Sequence, residues 1–76
     1  MIPIDLIQSS EEILSAREFE VLGLVGRGCK NREIAQSLGI AERTVRFHVE
    51  KILDKLNVNN RTEAVCYAFR NGLIKD

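Results

Sequence analysis

The sequence predicts an all-α domain of four short helices, and three observations carry that reading. Apolar residues recur at helical spacing, most clearly Val45, Val49, Ile52 and Leu56 at i, i+4, i+7 and i+11. The first and fourth segments open on side chains that cap helix starts, and the first, second and fourth close on glycine. No stretch of useful length alternates apolar and polar residues as a half-buried strand does.

The first helix opens at "SARE", where Ser15 followed by Glu18 forms a capping-box pattern, and runs to about Arg27 with Gly26 and Gly28 at its end. Leu14, Val21, Leu22 and Val25 form its apolar stripe, and Glu18 falls inside it. A carboxylate facing a core needs a partner, because burying it unpaired costs several kcal/mol. Arg61 is the expected partner. The second helix is "NREIAQSL", residues 31–38, with Ile34, Ala35 and Leu38 inward and Gly39 as its stop. The third spans about 42–57, and the fourth follows "NNRTE", where Asn60 and Glu63 make another cap-like pair, and ends at Gly72. Short connections force these helices to pack closely. Residues 1–11 read as an irregular arm or linker, and 12–76 as the folded domain.

A chain of 76 residues allows one domain, close to the lower limit at which a core suffices without a staple. The 29% of charged residues argues against a membrane protein, and no run approaches the ~18 apolar residues of a membrane span. The opening "MIPIDLIQSS" lacks the basic start and long apolar core of a signal peptide, so a cytoplasmic protein is expected. In that compartment Cys29 and Cys66 read as reduced thiols, and the "NRT" sequon at Asn60 carries no meaning. The net charge of zero hides an asymmetry: residues 1–20 sum to −4 and residues 21–76 to +4. That excess suits a solvated surface as well as a nucleic-acid footprint.

The junction of the second and third helices reads "IAQSLGIAERTV". Ala35 allows close approach, Gly39 can take the positive φ of a tight turn, and Ile40 and Val45 pin the two helices together. These offsets suit a helix-turn-helix, whose second helix can enter a DNA major groove. An ordinary helical hairpin would satisfy them too.

Four linked motifs go further: "L-S-x-R-E-x-E-V-L", "G-x-x-N-R-E-I-A", "T-V-R-x-H-V-x-x-I-x-x-K-L" and "R-T-E-A-V". In this order and spacing they cover residues 14–65, about two thirds of the chain. The segment resembles the DNA-binding domains of LuxR-type transcription factors, which include NarL/FixJ effector domains and GerE-like short regulators. The resemblance implies a four-helix LuxR-type helix-turn-helix domain whose third helix reads double-stranded DNA. Its fourth helix often forms a dimer contact.

Arg43, Arg46, Phe47 and Glu50 share the face opposite the apolar stripe. Arg43 and Arg46 can donate to phosphates or guanine, Phe47 can meet a thymine methyl, and Glu50 can accept from cytosine or orient an arginine. Arg46 and Phe47 match family positions that commonly face bases. Glu42 and Lys51 belong to the same candidate surface. Thr44 is a phosphate candidate at the helix start. Ala41 departs from the family's usual Ser at the cap, at a cost of about 1 kcal/mol of local helix stability. Lys30, Asn31 and Arg32 open the second helix, which crosses the backbone in this docking mode, and Arg61 opens the fourth. The plain reading of Thr44 is a bond to its own backbone, and that of the charged and polar residues on the second and third helices is a solvated surface.

On the fourth helix Val65, Tyr67, Ala68 and Phe69 are the dimer-contact candidates, and a two-fold dimer would read half-sites about one helical turn apart; cover for the N-terminal arm is the other use for this apolar excess. His48 flanks the apolar stripe and has no second ligand at metal-binding spacing. A single His and no phosphate-binding loop leave no basis for catalysis, and no cofactor is expected. The expectation is a regulator that binds DNA, forms a homodimer and has RNA polymerase as a further partner. The rival is a protein-interaction module of the same fold that binds a regulator or RNA polymerase without DNA.

Overall fold

The computed structural model describes residues 14–74; the arm expected over residues 1–11 lies outside the described residues. Helices α1 (Ala16–Gly26), α2 (Asn31–Leu38), α3 (Glu42–Leu56) and α4 (Arg61–Arg70) follow one another, with no strand among the described residues.

Each helix start has its own chemistry. The Ser15 hydroxyl accepts from the Glu18 N–H at 3.1 Å while the Glu18 carboxylate accepts from the Ser15 N–H at 2.9 Å, the reciprocal box the sequence predicts. Asn60 accepts from the Glu63 N–H at 2.9 Å, but Glu63 reaches back to the Asn59 N–H at 2.8 Å, one residue before the cap. At α2 the Glu33 carboxylate accepts from the Lys30 N–H at 2.7 Å, half of a capping box whose first residue is not a usual cap. Ala41 provides no side-chain cap for α3, as expected.

All four helices end alike, each with an N–H bonding back across the last turn: Cys29 to Leu24, Ile40 to Ala35, Val58 to Leu53 and Leu73 to Ala68, at 2.8–3.1 Å. The residue before each of these donors has positive φ. At Gly39 (φ 69°) this reverses the chain tightly between α2 and α3. At Asn57 (φ 58°) it is done without glycine, which ends α3 one residue earlier than expected.

The core forms around α3, which packs on each of the other three helices. Val45, Val49, Ile52 and Leu56 are all buried, against Leu14, Val21 and Leu22 from the α1 region, Ile34 and Ala35 from α2, and Ala64 and Ala68 from α4. Beyond α4, Leu73 and Ile74 return to this core, and the Ile74 side chain lies so close to Gly26 that a Cβ there would sit 2.7 Å from its Cδ1.

Glu18 is buried, as its place in the stripe implies, but its partner is Lys55 and not Arg61. The Lys55 ammonium donates to Glu18 Oε1 at 2.8 Å, tying the start of α1 to the last turn of α3. Lys55 flanks the α3 stripe beside Leu56 and reaches in along its alkyl stem. Arg61 is occupied elsewhere, on Cys29 and Asn31. Burial pushes the Glu18 pKa up, but the Lys55 hydrogen bond and charge and the Ser15 N–H and hydroxyl outweigh it, leaving it below the ordinary value. The folded state therefore favours the ionised form. This contribution to stability is present above the ordinary glutamate pKa and is lost as pH falls through the lowered folded value. Urea melts of Glu18→Gln should show reduced stability at pH 7 and a shallower loss below pH ~4.5 than the parent chain; parallel acid limbs would contradict the pairing.

Candidate nucleic-acid interface

The buried stripe of α3 leaves the rest of that helix to solvent, and the candidate residues fall there. Glu42, Arg43, Arg46, Phe47, Glu50 and Lys51 are all exposed, and Thr44 is half-buried. Phe47 is 55% exposed, the most exposed of the large apolar side chains among the described residues. The Lys51 ammonium lies over its ring at 5.6 Å from the centroid, a cation–π arrangement between residues one helical turn apart. The His48 ring flanks Phe47 at 5.9 Å, tilted by 58°. Among the described residues the ion pairs are Arg17–Glu20 at 3.4 Å and Lys55–Glu18, so Arg43, Arg46 and Lys51 carry no carboxylate partner there.

The α2 candidates divide. Lys30 and Arg32 are exposed. Asn31 is half-buried, and its side-chain oxygen accepts from Arg61 Nη1. The second guanidinium nitrogen, Nη2, donates to the Cys29 carbonyl at 3.0 Å. Arg61 thus clamps the first turn of α4 to the loop and first turn of α2, a structural role that motif spacing alone does not indicate. A cleft of about 500 Å³ lies between α3 and these two helix starts, with Arg46, Glu50, Asn31, Arg61 and Thr62 among its lining. Thr62, exposed beside Arg61, joins this edge; it lies within the "R-T-E-A-V" motif but is not among the contact candidates the sequence suggests.

On α4, Phe69 is 38% exposed, and Val65 and Tyr67 are half-buried. Ala68 is not a surface residue: at 0% exposure it closes the core and offers nothing to a second chain. Among the described residues no three of His, Cys, Asp or Glu gather as metal ligands, and no helix is long and apolar enough to cross a membrane.

These placements separate residues that hold the fold from residues that only face out. Phe47→Ala should leave stability within ~0.5 kcal/mol of the parent, while Val49→Ala should cost about 1–3 kcal/mol, read by calorimetry or denaturant melts. Arg61→Lys, which keeps the charge but not the two-pronged geometry, should lower stability by about 1–2 kcal/mol. An unchanged melt would remove Arg61 from the framework.

Residues 12–68 match the family described as GerE, the luxR family of bacterial regulatory proteins. The response regulator protein VraR of Staphylococcus aureus (strain NCTC 8325 / PS 47) is 48% identical over 64 residues, which is 84% of this chain and 31% of VraR. The chain thus spans less than a third of the length of the curated relatives it matches. Among solved structures, the transcription factor GerE superposes with a TM-score of 0.78 at 33% identity, covering 83% of this chain and 94% of GerE. The response regulator ChrA of a heme-sensing two-component system gives 0.77 at 46% identity, covering 80% of this chain and 30% of ChrA. With a family match over most of its length and the same four-helix fold, the chain belongs to the luxR family of bacterial regulatory proteins as a helix-turn-helix DNA-binding domain, and not as an enzyme.

Proposed function

We propose that this domain binds double-stranded DNA sequence-specifically, with α3 lying in the major groove, and serves a cytoplasmic transcriptional regulator of which it is the whole or the effector part. The observation that carries the reading is the outer face of α3, where exposed Arg43, Arg46 and Lys51 lack carboxylate partners among the described residues and surround an exposed Phe47. A helix about 10–12 Å across fits a major groove about 12 Å wide. Lys30 and Arg32, exposed at the start of α2, are the proposed phosphate contacts of the helix that crosses the backbone in this docking mode. Asn31 and Arg61 support this edge through their mutual hydrogen bond.

Val65, Tyr67 and Phe69 on α4 are the proposed contact with a second copy. Two copies related by a two-fold axis would read half-sites about 34–36 Å apart, and RNA polymerase is the proposed downstream partner.

The test is duplex binding across a salt series, with sedimentation on the same sample. Specific binding predicts enrichment of particular duplexes from a random pool and a slope of log K against log salt near −0.9 for each phosphate neutralised. Charge removal at Lys30 or Arg32 should make that slope shallower by about one unit for each phosphate that is no longer neutralised. Failure to enrich any duplex at low salt by a chain that sediments as a dimer would overturn the reading and favour a protein-binding module of the same fold.

A further inference from the structure

Phe47 and Lys51 present two chemically different surfaces side by side. The ring is an apolar face exposed to solvent, and the ammonium above it carries three donors and no acceptor. Their offset of four residues keeps them on one face of α3, and among the described residues no carboxylate forms an ion pair with the ammonium. Of the base edges in a major groove, only thymine offers a match to both. It carries a methyl group at C5 and, on the adjacent carbon, the acceptor O4. Cytosine has an amino donor at that second position, which faces an ammonium unfavourably. Adenine and guanine offer acceptors but no methyl.

We infer that Phe47 and Lys51 together read one thymine in each half-site, the ring against the 5-methyl group and the ammonium donating to O4. This rests on α3 being the groove helix. Phe47 alone would register the methyl group of any 5-methylpyrimidine. Lys51 supplies the discrimination between thymine and 5-methylcytosine, whose methyl groups are the same but whose neighbouring groups are acceptor and donor.

Selection from a random duplex pool with the full chain identifies the preferred site. Each of its thymines is then replaced singly by uracil, which removes only the methyl group, and by 5-methylcytosine paired with guanine, which keeps the methyl group and replaces O4 by an amino group. At one thymine per half-site, uracil should weaken binding about fourfold, the scale of one buried methyl group, and Phe47→Ala should abolish that difference. At the same position 5-methylcytosine should weaken binding about tenfold, and Lys51→Met, which keeps an apolar stem, should bring the difference below about twofold. Both variants alter exposed side chains, so their melts should coincide with that of the parent. If thymine and uracil bind alike at every position, or Phe47→Ala keeps the difference, or Lys51→Met still discriminates tenfold, the inference fails while DNA binding stands. A chain that enriches no duplex overturns the groove reading and this one with it.

Discussion

Burial of the α3 stripe is the constraint from which the other features follow. A domain of this size can build only one core, and here a single helix supplies its centre. Val45, Val49, Ile52 and Leu56 meet side chains from α1, α2 and α4 at once, so none of those helices has a stable place without α3. The turn through Gly39 brings α2 onto the same stripe, where Ile34 is wholly buried. The periodicity that turns these four residues inward also fixes what faces out. Arg43, Arg46, Phe47 and Glu50 cannot join the core without withdrawing the stripe. A shift in helical register would therefore destroy the fold and the candidate interface together.

The acids and bases have been allotted different work. Glu18, Glu33 and Glu63 each accept a backbone N–H at the start of a helix, and Glu18 also holds Lys55. Carboxylates at helix N-termini are favourably placed with respect to the helix dipole, so this arrangement stabilises the helices while occupying these three acids, whereas Glu42 and Glu50 stay exposed on α3. The cations of the outer α3 face are left without such partners among the described residues. A net charge of zero is therefore a poor guide to the local field. What matters for an anionic polymer is the local sum at the surface it approaches, within a Debye length of about 8–10 Å.

Helix boundaries, the Ser15–Glu18 box and the exposure of Phe47 are legible in the sequence because each depends on residues a few positions apart. The Phe47–Lys51 contact follows the same logic, as an i, i+4 pair, although helical spacing alone shows only that both belong to one face. Long-range choices are harder. Glu18 needs a cation, and both Lys55 and Arg61 belong to the family pattern. What decides between them is that Arg61 is held by a backbone carbonyl and an amide oxygen. A backbone acceptor belongs to every residue type, so no side-chain pattern announces it. Ala68 illustrates the converse problem. α4 is apolar around more than one face, and only the packed structure shows which apolar residues close the core and which are left over.

An exposed aromatic ring on α3 separates folding from recognition in a way that a buried one cannot. Phe47 is in contact with water before and after folding, so the hydrophobic effect contributes little through it to stability. Its apolar area matters only when another surface removes it from water, at roughly 25 cal/mol for each Å² covered. Lys51 partly desolvates the ring already, and a cation so placed can turn from the ring to an acceptor without opening the core. The outer face of α3 can thus vary in sequence preference while the stripe beneath it stays fixed. This freedom is specific to a helix whose two faces belong to different partners, one the protein's own core and the other whatever covers Phe47.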